Sequence, residues 1–356
     1  MRYLIISALV LFLAGQVLSA DAITSIIGHA TGSEKQGTDP YMSGDLWIRV
    51  HEPERAKLDF DLQFEKANSK LNIAQIKLLL PVTDVILGRQ QIGWGVGYAV
   101  NPIDIINPRP IGSSFDPTFV RDGRDAVAAS AYLGSYSKIE LIAASNFSDT
   151  KDYDGTAVVQ DFRPDSGARI KANLAGCDVA ASYINKGERS YNGNISPEDR
   201  VWGAEFNGTV PFIGCGLWNE TAFYTEANKT ELVVGTDYYF GDYHFILEYY
   251  RNGFGTADRT AYDPTLLLQG RLMARDYFIP TLSWRVNQKM TLTGFAFYNT
   301  DDWGIIGGGV VDYFINNNLE FVFMPYFLKG GADTEVGLQK TAVGRYGAEA
   351  LFKLVI

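Results

Sequence analysis

Three histidines (His29, His51 and His244) and two cysteines (Cys177 and Cys215) are all that 356 residues offer for imidazole, thiolate or soft-metal chemistry. No histidines are spaced as a ligand pair, and two cysteines exclude a disulfide scaffold or a cysteine-rich metal module. His29 is followed by Ser33, yet no nucleophile, base and orienting group stand together, so the chain reads as a non-enzyme that calls for no cofactor. Asp149, Asp152 and Asp154 ahead of Gly155 could gather Ca2+, but the spacing is not that of an EF-hand and a solvated acidic loop is the simpler reading. The densest chemistry is electrostatic. Arg89, Arg109, Arg121 and Arg124 mingle with Asp104, Asp116, Asp122 and Asp125 along a stretch rich in Gly and Pro. Opposed charges held across a narrow passage set a transverse field that filters solutes; the competing reading is salt bridging that merely braces a loop.

Something must hold that stretch in place, and the rest of the chain shows what. It is 46% hydrophobic, 13% aromatic and only 20% charged, with 36 glycines, so a packed structure rather than disorder is expected. A net charge of -10 argues against nucleic acid as a partner. Arg2, the apolar run Leu4 to Ala14 and Ala20-Asp21-Ala22 read as a signal peptide over residues 1–22, leaving 23–356 as the exported part. No other stretch is long and apolar enough for a membrane helix, so the exported chain is either soluble or spans a membrane as a closed barrel.

Period-2 alternation runs through that exported part. In residues 55–65, Ala56, Leu58, Phe60, Leu62 and Phe64 face one way, and Lys57, Asp59, Asp61 and Glu65 the other. The same division puts Ile139 and Leu141 against Lys138 and Glu140, and Ala168 and Ile170 against Arg169 and Lys171. It also puts Leu232 and Val234 against Glu231, and Phe245 and Leu247 against His244 and Glu248. Over 68–80 the apolar parity shifts between Ile73 and Ile76, which needs a bulge or could be a short helix. Tight turns near 51–53, 81–84, 134–136, 175–177, 210–212, 241–242, 287–289 and 316–318 alternate with mostly longer polar stretches, notably 96–123, 148–165, 187–199, 253–271 and 329–341. The count is nine hairpins, or about 18 antiparallel strands (16 to 18), with both chain ends on the short-turn side. That predicts an all-β, up-and-down transmembrane barrel. A secreted β-sandwich or β-helix is the alternative, disfavoured by ten-residue apolar faces, aromatic strand ends and the many charges on the opposite face. Cys177 and Cys215 fall two strands apart, roughly 10 Å, so both should be free thiols.

Two resemblances sharpen this reading. Tyr346, Ala348, Ala350, Phe352, Leu354 and Ile356 form an alternating apolar row that resembles the C-terminal strand by which barrel assembly machinery recognises Gram-negative outer-membrane barrels, although that pattern usually ends in Phe or Trp. Gly88-Arg89-Gln90, Gly93-Trp94-Gly95, Asn101-Pro102-Ile103-Asp104 and Asn107-Pro108 resemble a segment of substrate-specific outer-membrane porins related to alginate-export channels. The second resemblance implies a Gram-negative outer-membrane location among lipid and lipopolysaccharide, and passive passage of small hydrophilic solutes through a water-filled channel. By analogy with general porins, the third long-rim loop, 96–123, folds inward as a constriction. The expected pore-lining residues are Lys57, Asp59, Asp61, Arg89, Gln90, Asp104, Arg109, Arg121, Arg124, Arg169 and Lys171. An outer-membrane hydrolase and a non-conducting adhesion barrel are the alternatives; the solute and any homo-oligomer stay open.

Overall fold

The computed structural model describes residues 19–33, 37–52, 56–65, 68–116, 119, 121–145, 164–187, 189–191, 194–196, 198–268 and 271–355. The strands are β1 (Ser19–Ser33), β2 (Gly37–Glu52), β3 (Ala56–Glu65), β4 (Asn68–Leu79), β5 (Thr83–Gln90), β6 (Arg124–Tyr132) and β7 (Ser137–Ala144). Next come β8 (Asp165–Leu174), β9 (Cys177–Lys186), the short β10 (Arg189–Tyr191) and β11 (Asn194–Ser196), β12 (Asp199–Val210), β13 (Cys215–Tyr224) and β14 (Lys229–Phe240). The rest are β15 (Tyr243–Arg251), β16 (Asp276–Asn287), β17 (Met290–Asn299), β18 (Ile305–Phe314), β19 (Leu319–Lys329) and β20 (Tyr346–Val355).

Apart from the β10–β11 hairpin, these form one 18-stranded antiparallel sheet in which each strand pairs with its chain neighbours. β20 pairs with β1 (Ala350 opposite Ala30), so the sheet closes and leaves no edge. The short turns lie on one rim with the start of β1 and the end of β20; the opposite rim carries nine connections. Tightness on the short rim follows from local chemistry: Gly241 takes φ 57°, open to glycine at no steric cost, and lets Phe240 pair with Tyr243.

The register shows what resolves the parity shift in β4. Asp61 opposes Ile73 and Leu62 opposes Leu71, so Asn72 is the extra residue of a bulge and the segment is a strand throughout. Leu71 and Ile76 then lie largely exposed while Ile73 is buried. β1 begins at Ser19, within the expected leader; residues 1–18 lie outside those described.

The two faces invert the rule for a water-soluble protein. Ile170 is 50% exposed, Phe245 43% and Leu282 48%, whereas Glu220 and Glu248 are 0% and 1% exposed. An apolar outer wall with charges hidden inside is stable only where lipid surrounds it. Aromatics gather where that wall meets the short-turn rim: Tyr238, Phe240, Tyr243, Trp284 and Tyr313 are exposed, with Tyr243 stacked on Trp284 at 5.8 Å. Substitution should therefore separate the faces. Ile170→Arg at mid-strand should cost about 2–4 kcal/mol in refolding into bilayers, and Lys171→Gln, one residue away on the inner face, less than about 1 kcal/mol. Equal losses would contradict the assignment of faces.

Candidate functional site

Inside the barrel the chain from Gln91 to Gly123 leaves β5 and returns to β6, although Gln90 already pairs directly with Arg124. A hairpin there needs a few residues, so the excess has another task. It folds into the lumen: Ile92, Trp94, Ile103, Ile105 and Ile106 pack as one buried cluster with Ile142, Ile184, Val201 and Tyr224 of the wall. Ala99, Val100 and Phe115 pack in a second cluster with Trp218, Ile246, Tyr250 and Phe297. Phe115 stacks on Phe295 at 4.0 Å.

Two wall carboxylates hold the loop by its backbone. Glu220 Oε2 accepts the N–H groups of Val96 (2.7 Å) and Gly97 (3.1 Å), and Oε1 that of Ile103 (2.6 Å). Glu248 Oε1 accepts from Tyr98 N–H (2.5 Å) and Trp218 Nε1–H (2.8 Å), and Oε2 from Ala99 N–H (2.7 Å). A loop without secondary structure leaves its N–H groups unpaired, and burying them requires acceptors. Gly95 shows how close the approach is: its φ is 103°, and a Cβ there would stand 2.6 Å from Glu220 Oε2.

The loop's own charges mostly brace it. Arg121 donates twice to Asp104, from Nη1 to Oδ1 at 2.9 Å and from Nη2 to Oδ2 at 2.6 Å, and also reaches the Ile92 carbonyl. Burial pushes the Asp104 carboxyl above the usual range, and Arg121 pulls it back. Arg124 pairs with buried Asp165 at 2.6 Å and bonds the Ile106 and Ser145 carbonyls. Arg109 differs. Its backbone N–H donates to Asp104 Oδ2 at 3.3 Å, while its half-exposed side chain lines a cavity of about 400 Å³ with Tyr98, Ser114, Trp218, Asp237, His244 and Ile246. His244 Nε2 lies 2.8 Å from Asp237 Oδ2 and its ring stacks on Tyr239 at 3.8 Å.

The other expected lining residues are dispersed along the wall. Asp59 accepts from Arg49 Nε (2.9 Å) and Gln75 Nε2 (3.2 Å), Asp61 accepts from the bulge residue Asn72 (3.1 Å), and Lys57 is exposed. Arg169 pairs with Glu205 and with Glu140 (3.3 Å) and lies 5.9 Å from the Trp94 ring; Lys171 pairs with Asp178 at 2.7 Å. Gln90 is buried and donates to the Ala126 carbonyl at 3.0 Å. Arg89 pairs with Asp125 at 3.6 Å, two residues along from the outward-facing Leu87 and Val127, so this pair continues the outer face rather than the lumen.

Sequence reading gave Glu220 and Glu335 no place, and set Glu231 on the polar face of its strand without a partner. Glu231 accepts from Arg271 (2.6 Å) and Tyr250 (2.7 Å), with Arg271 lying 3.9 Å from the Phe254 ring. The signal of Glu220 and Glu231 was present as single carboxylates on the inner parity of β13 and β14, but nothing local says what they will hold, and Glu335 lies in the connection after β19, where there is no strand parity to read. Cys177 and Cys215 are free, as expected. Asp149, Asp152 and Asp154 lie outside the described residues, and among the described residues no group of three acidic, His or Cys side chains could hold a metal.

No family model matches this sequence, and no curated protein matches it. Solved structures do. A mutant of the Rh. blastica porin is similar at 12% identity, covering 95% of this chain and 100% of its own with a TM-score of 0.52. Acinetobacter baumannii OccAB1 is similar at 9% identity over 96% of this chain and 97% of its own, TM-score 0.61. Pseudomonas aeruginosa OccK2 (OpdF), solved in complex with glucuronate, is similar at 9% identity over 95% and 96%, TM-score 0.62. At these identities the likeness establishes the fold, that of a porin barrel, across nearly the whole chain.

Proposed function

We propose that this chain is an outer-membrane porin of a Gram-negative bacterium: a water-filled barrel for passive passage of small hydrophilic solutes, narrowed by the loop over 91–123. The observation that carries this reading is the inverted surface of a closed 18-stranded barrel whose lumen holds a loop anchored by wall carboxylates. Side chains alone cannot fill a barrel of that strand number, so the space the loop leaves is available to water. In this reading residues 1–22 direct export, and β20 supplies both the closing strand and the signal for the assembly machinery.

The charges assign roles within the passage. Asp104 and Arg121 neutralise one another inside the loop, so the transverse field expected from opposed loop charges is replaced by bracing. Among the described loop arginines Arg109 alone lines the cavity without an ion pair, and an anionic or hydroxylated solute is the class it favours. The glucuronate held by OccK2 is of that class. Reversal potentials across a salt gradient test the assignment. Arg109→Glu should shift selectivity toward cations while Asp104→Asn chiefly disorders the loop, raising current noise. A selectivity unmoved by Arg109→Glu would remove Arg109 from the passage.

A further inference from the structure

Beyond the constriction, three other connections of the long rim are tied together by a second pair of buried carboxylates. They are 252–275 between β15 and β16, 300–304 between β17 and β18, and 330–345 between β19 and β20, the last carrying a helix over Glu335–Val343. Glu335 is 1% exposed and Asp302 4%. Glu335 Oε1 accepts from Met273 N–H (2.8 Å), and Oε2 from Tyr277 OH (2.6 Å) and Asn299 Nδ2 (3.1 Å). The Glu335 N–H donates to Asp302 Oδ2 (2.7 Å), which also accepts from Tyr262 OH (3.0 Å), and Asp302 Oδ1 takes the Gly304 N–H (2.7 Å). One node thus touches all three loops and the ends of β16 and β17.

We propose that Glu335 and Asp302 form an acid-tightened latch that clamps these three loops over one side of the barrel mouth. The charge balance around the node supports this. Arg275 is engaged with Asp276 (2.7 Å), Arg259 with Asp333 (3.3 Å), and Lys340 with the Gly330 carbonyl (2.6 Å). Asp301, beside Asp302, accepts the Arg275 and Asp276 N–H groups rather than a side-chain cation. Among the described residues, then, no cation pairs with either carboxylate. Two neighbouring buried carboxylates without a cation are held apart from water at a cost, and a proton on Glu335 relieves it. Burial and the nearby Asp302 push Glu335 up from the carboxylate range, against the pull of Met273 N–H and Tyr277 OH.

The closed latch therefore binds more protons than the open one. Its stability is complete below the ordinary carboxylate range and falls as pH rises through the raised Glu335 value. The effect reaches the channel because Leu272, Met273 and Ala274 pack in one cluster with Val100 and Phe115 of the constricting loop. That consequence, though not the latch itself, rests on the channel reading.

Hydrogen exchange on the full barrel in lipid bilayers, corrected for the intrinsic pH dependence, tests it at the Met273, Gly304 and Glu335 amides. Wild type should be several-fold better protected at about pH 5 than at about pH 8. Glu335→Gln, which keeps shape without the charge, should show the protected behaviour at both. Equal protection of wild type at the two values, or a pH dependence that survives in Glu335→Gln, overturns the latch. Should that variant not fold, Asp302→Asn must narrow the difference between the two values, and an unchanged difference overturns the latch equally. Exchange needs no ion current, so a barrel that conducts nothing would overturn the channel and leave the latch to stand or fall on its own protection pattern.

Discussion

Replacing residues 95–121 with a short Gly-Ser linker should leave a folded barrel whose single-channel conductance rises several-fold and whose selectivity moves toward cations. The barrel survives because every wall strand keeps its pairing and Gln90 and Arg124 already face one another across the gap to be closed. Conductance rises because the segment removed contributes Val100, Ile103 and Phe115 to both clusters that occupy the lumen. Cation preference follows from what is uncovered: Glu220 and Glu248 lose their backbone donors and face water, while the charges that leave with the loop, Asp104 and Asp116 with Arg109 and Arg121, cancel. A correctly folded deletion with unchanged conductance would place the constriction elsewhere in the barrel.

Removing β20 should be still more damaging. Without Tyr346–Val355, β1 and β19 both lose the strand that joins them, and each presents unpaired N–H and C=O groups to lipid, at several kcal/mol per group. No local repair is open to the truncated chain, because β1 and β19 are held one strand apart by the 15 strands between them and the sheet must strain to close. The expected outcome is loss of the heat-modifiable folded band on electrophoresis and aggregation before insertion. A folded, membrane-inserted barrel lacking these residues would show that closure does not depend on them.

Much of this architecture is legible in the sequence because a barrel strand writes its two environments into alternate residues. Arg169, Lys171 and Asn173 against Ala168, Ile170 and Leu174 specify both the strand and the face that meets lipid, and each tight turn carries its own residue chemistry. The parity shift between Ile73 and Ile76 left a bulge or a short helix open, and the register puts the bulge just before it, at Asn72, whose side chain serves the loop: Asn72 Oδ1 accepts the Gly123 N–H at 2.7 Å. The site was legible only in part. The abundance of charge in 88–125 drew attention to the right segment, but not to how those charges pair, because Arg121 with Asp104 and Arg124 with Asp165 are set by a fold of the loop that has no period to read. The anchors were harder still. Glu220 lies 124 residues from Val96 and Glu248 lies 150 from Tyr98, and a lone Glu on an inner face looks the same whether it meets water or a backbone amide.

The central claim is that water and solute pass through this barrel around an inward-folded loop, and single-channel recording of the purified protein in a planar bilayer tests it most directly. Discrete, reproducible conductance steps are predicted in symmetric salt, smaller than those of the barrel with residues 95–121 replaced. A wild-type protein that inserts as a folded barrel yet gives no conductance steps, while the loop-replaced form does, would contradict the claim, since the loop would then be a plug and the wild-type barrel no porin.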